Sequence, residues 1–296
     1  MTREPAFTKP SEVRRLTRVV LKHPREAFGS AGAIAAEWRA LNFTAPPDLD
    51  RAMAEFDHFV DLILSSGASI DFLPAASGCG LDSIYVRDAS VVGEAGLILC
   101  SMGKPQRAWE PRAQGEAFAG WGLPVVGAIE RPGRLEGGDV VWLDRWTVAV
   151  GRGYRTNAQG IAQLRTILGD TIDELIEVPL PHWRGPDDVF HLMSIISPVD
   201  DDLAVVYSPL LPVPFRERLI DLGFDFVEVP DEEFESMGAN VLALAPGECV
   251  MLAGNPRTQA RLEQAGVRVW TYDGDEISRK GGGGPTCLTR PIIRGV

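Results

Sequence analysis

Leu135-Glu-Gly-Gly-Asp-Val-Val-Trp-Leu-Asp-Arg-Trp-Thr-Val-Ala-Val150 contains two short apolar runs, Asp139–Leu143 and Trp146–Val150, on either side of Asp144-Arg145. Runs joined by so short a polar link predict a β-hairpin. The stretch Thr156–Leu168 that follows has a Thr or Asn cap, and its apolar positions include Ile161, Leu164 and Ile167, the spacing of one helix face. Hairpin-like pairs among helix-period stretches predict an α/β fold with mixed rather than purely parallel sheets.

The same patterns recur outward from this stretch. Strand-like runs are Thr17–Leu21, Ser83–Val92, Leu97–Ser101, Leu175–Val178, Val189–Ile196, Leu203–Tyr207, Phe226–Val229, Asn240–Leu244, Cys249–Leu252, Val267–Thr271 and Cys287–Ile293, bounded by Gly, Pro or Asp. Helices are expected at Asp48–Leu64, with Asp48 or Asp50 as N-cap, and at Pro214–Leu222 and Pro256–Ala265, where proline near the start costs little. No low-complexity linker interrupts the alternation, so residues 1–296 read as a single α/β domain.

Composition narrows the function. Hydrophobic residues make up 45% and charged residues 24%, enough for a substantial core. The charge balance, 29 − 41 = −12, argues against nucleic acid, which is bound through Lys and Arg, and suits a small cationic substrate. Cys79, Cys100, Cys249 and Cys287 show neither a CxxC pair nor metal-ligand spacing, so neither zinc nor a disulfide framework is expected. Without an apolar leader or a run of roughly 20 apolar residues, the expectation is a cytoplasmic protein that does not span a membrane. The pattern is compatible with a homo-oligomer. No GxGxxG or GxxxxGK[ST] supports a nucleotide cofactor.

Polar clusters interrupt the apolar runs. In Asp82-Ser-Ile-Tyr-Val-Arg87-Asp88 an extended backbone would place both aspartates on one face, with Arg87 the obvious salt-bridge partner. In Leu135-Glu136-Gly-Gly-Asp139 a tight turn can aim Glu136 into a cavity, or form a hairpin turn with solvated acids. His191 sits in an apolar run and suits either a hydrogen-bonded core site or acid–base work; His182, in a Pro-rich loop, is a weaker rival. Arg107 and Arg155 are read in loops at strand ends, fit to hold a substrate carboxylate bidentately. Near the carboxyl end, Gly281-Gly-Gly-Gly-Pro-Thr-Cys287 offers a thiol on a backbone free of side chains, ahead of a run read as a buried strand. One chemistry uses the whole set: attack by a cysteine on a guanidinium carbon. Carboxylates orient the cation, the cation promotes the thiolate, and a histidine protonates the departing amine and later deprotonates water. It needs no metal and no cofactor.

These residues resemble the guanidine-modifying superfamily, which includes dimethylarginine dimethylaminohydrolase, arginine deiminase and the amidinotransferases. Asp82-Ser-Ile-Tyr-Val-Arg-Asp88 looks like the substrate-binding strand of the dimethylarginine hydrolases. Pro105-Gln-Arg107-Ala-Trp-Glu110 resembles the segment after it, and Leu135-Glu136-Gly-Gly-Asp-Val the acid turn. Gly151-Arg-Gly-Tyr-Arg155-Thr-Asn157 is similar to the segment that grips the substrate α-carboxylate. Phe190-His191-Leu matches the acid/base and Cys287 the nucleophile. The motifs fall in the family's order from about Val19 to Ile293.

The resemblance implies a five-bladed α/β propeller (pentein) of ββαβ modules. It further implies Cys287, His191 and Glu136 as catalytic residues, with Asp88, Asp82, Arg107 and Arg155 as substrate-binding residues. The expected activity is hydrolysis of the guanidino C–N bond of arginine or a methylated arginine through a covalent thiouronium, giving citrulline and an amine. Arg87, Gly282 and the tetraglycine run look more like deiminases and amidinotransferases, so those activities are the alternative. Met193 replaces an aspartate of the arginine deiminases. A catalytically silent binder of arginine derivatives is the reading from another class, and Cys287, His191, Glu136 and Asp88 together argue against it.

Overall fold

A computed structural model describes residues 7, 9–188 and 190–295. Its strands form five three-stranded sheets, each built in the same way. In the first, β1 (Leu16–Leu21) leads through α1 (Pro24–Ala27), α2 (Ala31–Glu37) and α3 (Leu49–Ser65) to β2 (Ser69–Phe72). The second has β3 (Ser90–Gly93), β4 (Gly96–Leu99), α4 (Glu110–Gly120) and β5 (Val125–Ala128). The third has β6 (Val140–Trp142), β7 (Thr147–Arg152), α5 (Ala158–Leu168) and β8 (Glu174–Pro179). The fourth has β9 (Ile196–Asp200), β10 (Leu203–Val206), α6 (Val213–Asp221) and β11 (Asp225–Glu228). After α7 (Asp231–Phe234) the fifth has β12 (Val241–Ala245), β13 (Glu248–Leu252), α8 (Pro256–Gln264) and β14 (Arg268–Tyr272). The last strand, β15 (Arg290–Arg294), returns to pair with β1, Val19 opposite Pro291 and Val20 opposite Arg290.

Every sheet therefore holds an antiparallel pair followed by a helix and a strand parallel to the pair's second member. A parallel return needs a crossover of about a dozen residues, and the helix supplies it. This is the ββαβ module, and five of them make the α/β propeller of the pentein fold. The hairpin quoted above is the third module's pair, with Val140 opposite Val150 and Trp142 opposite Val148.

Apolar burial joins each module to the next. Val20 and Ile292 meet Val92 and Phe118; Val91 and Ile98 meet Val140 and Leu164; Val141 and Ala149 meet Ile196 and Phe215. Val199 and Val205 then meet Val241 and Leu262, and Leu242 and Val250 meet Val19 and Phe56, closing the ring. The first strands are buried on both faces and so read as continuous apolar runs. The third strands, such as β2 and β5, are largely exposed. On α3, Ala52, Phe56, Phe59 and Ile63 follow helical spacing into the core, and Asp48 caps it by accepting the Arg51 N–H at 3.0 Å. Each such large side chain contributes about 1.5–3 kcal/mol and the cap about 1 kcal/mol.

Three expected strands are shorter or absent. Leu81–Ile84 is a 3₁₀ turn, followed by further turns up to β3, so Ser83–Val92 is not extended and Asp82 and Asp88 do not share a strand face. The Val189–Ile196 run is loop and 3₁₀ turn (Leu192–Ser194) until β9; Val189 itself lies outside the described residues. Cys287 sits in a turn ahead of β15 rather than within it. In each case polar side chains claim the backbone locally: Ser83 Oγ donates to the Gly80 carbonyl at 2.6 Å, the His191 N–H donates to Ser194 Oγ at 3.1 Å, and Thr289 Oγ1 donates to the Pro285 carbonyl at 2.9 Å. Among the described residues no helix is long and apolar enough to cross a membrane.

Candidate active site

The five first strands bring five turns together. Asp88 precedes β3, Glu136 precedes β6, His191 precedes β9, Asn240 precedes β12 and Cys287 precedes β15. All five side chains are buried. His191, Asn240 and Cys287 line one cavity of about 260 Å3, with Met193, Phe190 and Gly282 also in its wall. A wider cavity of about 790 Å3, between β11 and α8, holds none of these residues.

Glu136 is the best-held carboxylate. Its Oε1 accepts the backbone N–H groups of Gly103 at 2.8 Å and Lys104 at 3.2 Å. Its Oε2 lies 2.7 Å from His191 Nε2 and 3.3 Å from Arg155 Nη1. Two cations and two N–H groups compensate a charge that burial alone would expel. Burial would raise its pKa, but the hydrogen bond from His191 and the charge of Arg155 hold it well below the usual carboxylate range.

His191 faces a second acid, Asp88, at 3.8 Å from Nδ1 to Oδ1. Burial disfavours its charged form, yet Asp88, Asp139 and Glu136 outweigh this and push its pKa up to about 9. The imidazole is thus an imidazolium at neutral pH. Gly138 makes the approach of these groups possible: its N–H donates to Asp88 Oδ1 at 3.1 Å, and a Cβ there would lie 2.6 Å from His191 Nδ1.

Cys287 accepts from Asn240 Nδ2 at 3.6 Å, while Asn240 Oδ1 accepts from the N–H and hydroxyl of Thr286 at 3.0 and 2.9 Å. Burial and the charge of Asp88 push the thiol up, against smaller opposing effects from Thr286, Gly284 and Arg87. Gly281, Gly283 and Gly284 pack where side chains would not fit, a Cβ on Gly283 lying 2.3 Å from the Tyr85 ring, while Gly282 has open space but a positive φ of 77°.

The remaining expected site residues are buried too, Arg107 and Arg155 as partners of Asp88 and Glu136. Arg107 is saturated: Nη1 binds Asp88 Oδ2 at 2.5 Å, Nε and Nη2 grip both Glu110 oxygens, and Nη2 also reaches the Tyr85 carbonyl. It lies on a 3₁₀ turn, and Arg155 points at Glu136, so neither is the free loop arginine expected from sequence. Asp82 pairs with Lys104 Nζ at 2.6 Å. Arg87 turns away to Glu12, 2.7 Å to each oxygen, and bridges neither aspartate. His182 is a loop residue, 2.6 Å from the Tyr154 hydroxyl. Asn240, read only as the start of a strand, is the site residue the sequence hid; its place directly ahead of an apolar run, as for His191, was the available signal. Asp88, Glu136 and His191 could together offer ligands to a metal ion, but guanidinium groups already occupy both carboxylates.

This constellation can hold a cation beside a thiol and deliver a proton. The family described as N,N dimethylarginine dimethylhydrolase, eukaryotic, matches residues 42–294. The chain belongs to that family. It is accordingly a hydrolase acting on carbon–nitrogen bonds. Among its relatives is the N(G),N(G)-dimethylarginine dimethylaminohydrolase of Streptomyces coelicolor, 32% identical over 82% of this chain and 85% of that protein. An arginine deiminase of Mycobacterium avium is 32% identical over 55% of this chain and 47% of its own length, so the match spans about half of that relative. The fold matches that of the DDAH of Pseudomonas aeruginosa, solved as a cysteine-to-serine mutant with citrulline (TM-score 0.76, 23% identity, 95% of this chain and 100% of that one).

Proposed function

We propose that this family member hydrolyses the guanidino C–N bond of a methylated arginine through a thiouronium on Cys287, giving citrulline and an amine. The observation that carries the reading is that Cys287 and His191 line one cavity, with Asp88 3.8 Å from His191 Nδ1 and close enough for its charge to act on the thiol. Asp88 already receives a guanidinium, that of Arg107, and a substrate guanidinium at the same carboxylate would offset the charge that keeps the thiol protonated.

The thiol loses its proton to solvent as the cation binds, and recovers one from solvent once the product has left. The thiolate then forms a C–S bond to the guanidino carbon, His191 passes its proton to the departing nitrogen, and the C–N bond breaks. Neutral His191, held by Glu136, next takes a proton from water. The hydroxide adds, the C–S bond breaks, and the ureido product leaves with the thiolate and imidazolium restored. The liberated amine takes up the one remaining proton.

Met193 favours a methylated over a free guanidinium. It lines the cavity as a buried apolar group where arginine deiminases carry an aspartate, and so offers methyl contact rather than a hydrogen-bond acceptor. Deiminase activity on free arginine is the second reading, supported by the tetraglycine turn and the deiminase relative. The test is incubation with arginine, mono- and dimethylarginines, agmatine and guanidinoacetate, following ureido product and released amine by mass spectrometry. Methylated substrates should turn over with one covalent adduct on Cys287. Ammonia release from arginine alone would favour the deiminase, and turnover by Cys287→Ser would overturn the mechanism.

A further inference from the structure

Behind the turns that carry Asp88 and Cys287, Arg87 and Arg290 lie buried at 1% and 5% exposure. Arg290 Nη2 donates to the Arg87 carbonyl at 2.7 Å, and the Arg87 N–H donates to the Cys287 carbonyl at 3.2 Å. The carboxylate of Glu12 meets the pair through Arg87 Nη2 alone. Arg87 Nε and Nη1 and Arg290 Nε have no partner among the described residues. Among the described residues Glu12 is the one carboxylate hydrogen-bonded to this pair, Arg294 also draws on its charge and Lys9 lines the adjoining space, so positive charge is in excess here and donors are orphaned, a combination that is costly in a buried site. The crowding of like charge is also felt by Arg290, whose pKa burial and Arg87 push down to about 9.

A small cavity adjoins these groups, lined by Ser11, Glu12, Arg87, Arg290 and Arg294. Its volume is about 20 Å3, against the roughly 10–15 Å3 that one water needs. An occupant of that size can be a water or a monatomic anion, and a phosphate or sulfate is too large. Water would satisfy donors without balancing charge. We propose that a halide-sized monovalent anion binds here, between Arg87 and Arg290. The anion neutralises the pair and fixes the backbone carbonyls of Arg87 and Cys287 from behind the cavity that faces the substrate.

The test compares the protein in sodium chloride, sodium bromide and sodium gluconate at equal ionic strength. Chloride and bromide should raise the melting temperature saturably over gluconate, and bromide-soaked crystals should give an anomalous peak within hydrogen-bond reach of Arg87 and Arg290. In Arg290→Met the halide dependence should vanish. Glu12→Gln removes the built-in counter-charge, so its half-saturating halide concentration should fall several-fold; this variant decides the matter if Arg290→Met does not fold. No bromide peak between the two arginines, halide-independent melting, or an unchanged half-saturation in Glu12→Gln would each overturn the proposal.

Discussion

His191 Nε2 lies 2.7 Å from Glu136 Oε2 with both side chains buried, and a second acid, Asp88, faces the other ring nitrogen. The two acids favour the protonated imidazole at neutral pH. Because its pKa is pushed up to about 9, turnover that needs the imidazolium should fall as pH rises through about 9. Glu136→Gln removes the counter-charge, so this upper limb should move toward neutral and kcat should drop by about 10²–10⁴-fold. A pH–rate profile of both proteins checks this; an unmoved limb would mean that Glu136 does not govern His191.

The same raised pKa has a stability consequence. The folded state binds a proton that the unfolded chain releases at its ordinary value of 6.5. The stabilisation from His191 is therefore complete below pH 6.5 and is lost as pH rises through about 9. Melting curves of the native protein and His191→Asn should differ most at pH 6, in favour of the native protein, and converge above pH 9.

The charge of Asp88 pushes the Cys287 thiol up, and under the proposed mechanism the same carboxylate would anchor the substrate cation. Asp88→Asn should therefore act in opposite directions on two measurements. Alkylation of Cys287 by iodoacetamide at neutral pH should become faster, because a negative neighbour is gone. Hydrolysis should become slower by roughly 10²-fold or more, because the cation loses its anchor. Both rates falling together would show that Asp88 only supports the fold.

The fold was legible as mixed α/β because hairpins such as Asp139–Val150 and caps such as Asp48 and Asn157 are local signals. The ring was not, because its closure depends on β15 reaching β1 across almost the whole chain, which no window reveals; only the family's motifs implied it. Among the site residues, Glu136, His191 and Cys287 stood out as polar groups against apolar runs. Arg107 and Arg155 were legible as types and not as partners. Where a guanidinium points is decided by carboxylates from other modules, here Asp88 and Glu136. The α4 segment, with a proline, two glycines and little amphipathic pattern, gave no helix signal; its helix rests on Phe118 and Gln114 packing under β4 and the Asp88 turn.

Gly138 tests the geometry without replacement of any titrating side chain. A methyl there would lie 2.6 Å from His191 Nδ1 and 2.8 Å from Asp88 Oδ1. Gly138→Ala should cost about 1–3 kcal/mol of stability through overpacking, and should displace the imidazole. The expected readout is a folded protein by circular dichroism with kcat reduced by about 10²-fold, since a misplacement near 1 Å is enough. Full activity in that variant would mean that His191 and Asp88 need not approach each other.

Asn240 gives a prediction that separates holding the thiol from holding the turn. Its Nδ2 reaches Cys287 Sγ, and its Oδ1 binds two donors of Thr286. Asn240→Ala leaves those donors unpaired in a buried site, which should cost about 1–3 kcal/mol in melting experiments and lower kcat as well. Asn240→Asp keeps both acceptor contacts and so should restore most of the lost stability. It also places a carboxylate beside the thiol in place of a donor, which raises the energy of the thiolate. Activity in Asn240→Asp should therefore stay low while the protein is stable, and alkylation of Cys287 should need higher pH than in the native protein. Recovery of activity along with stability would assign Asn240 to the turn alone.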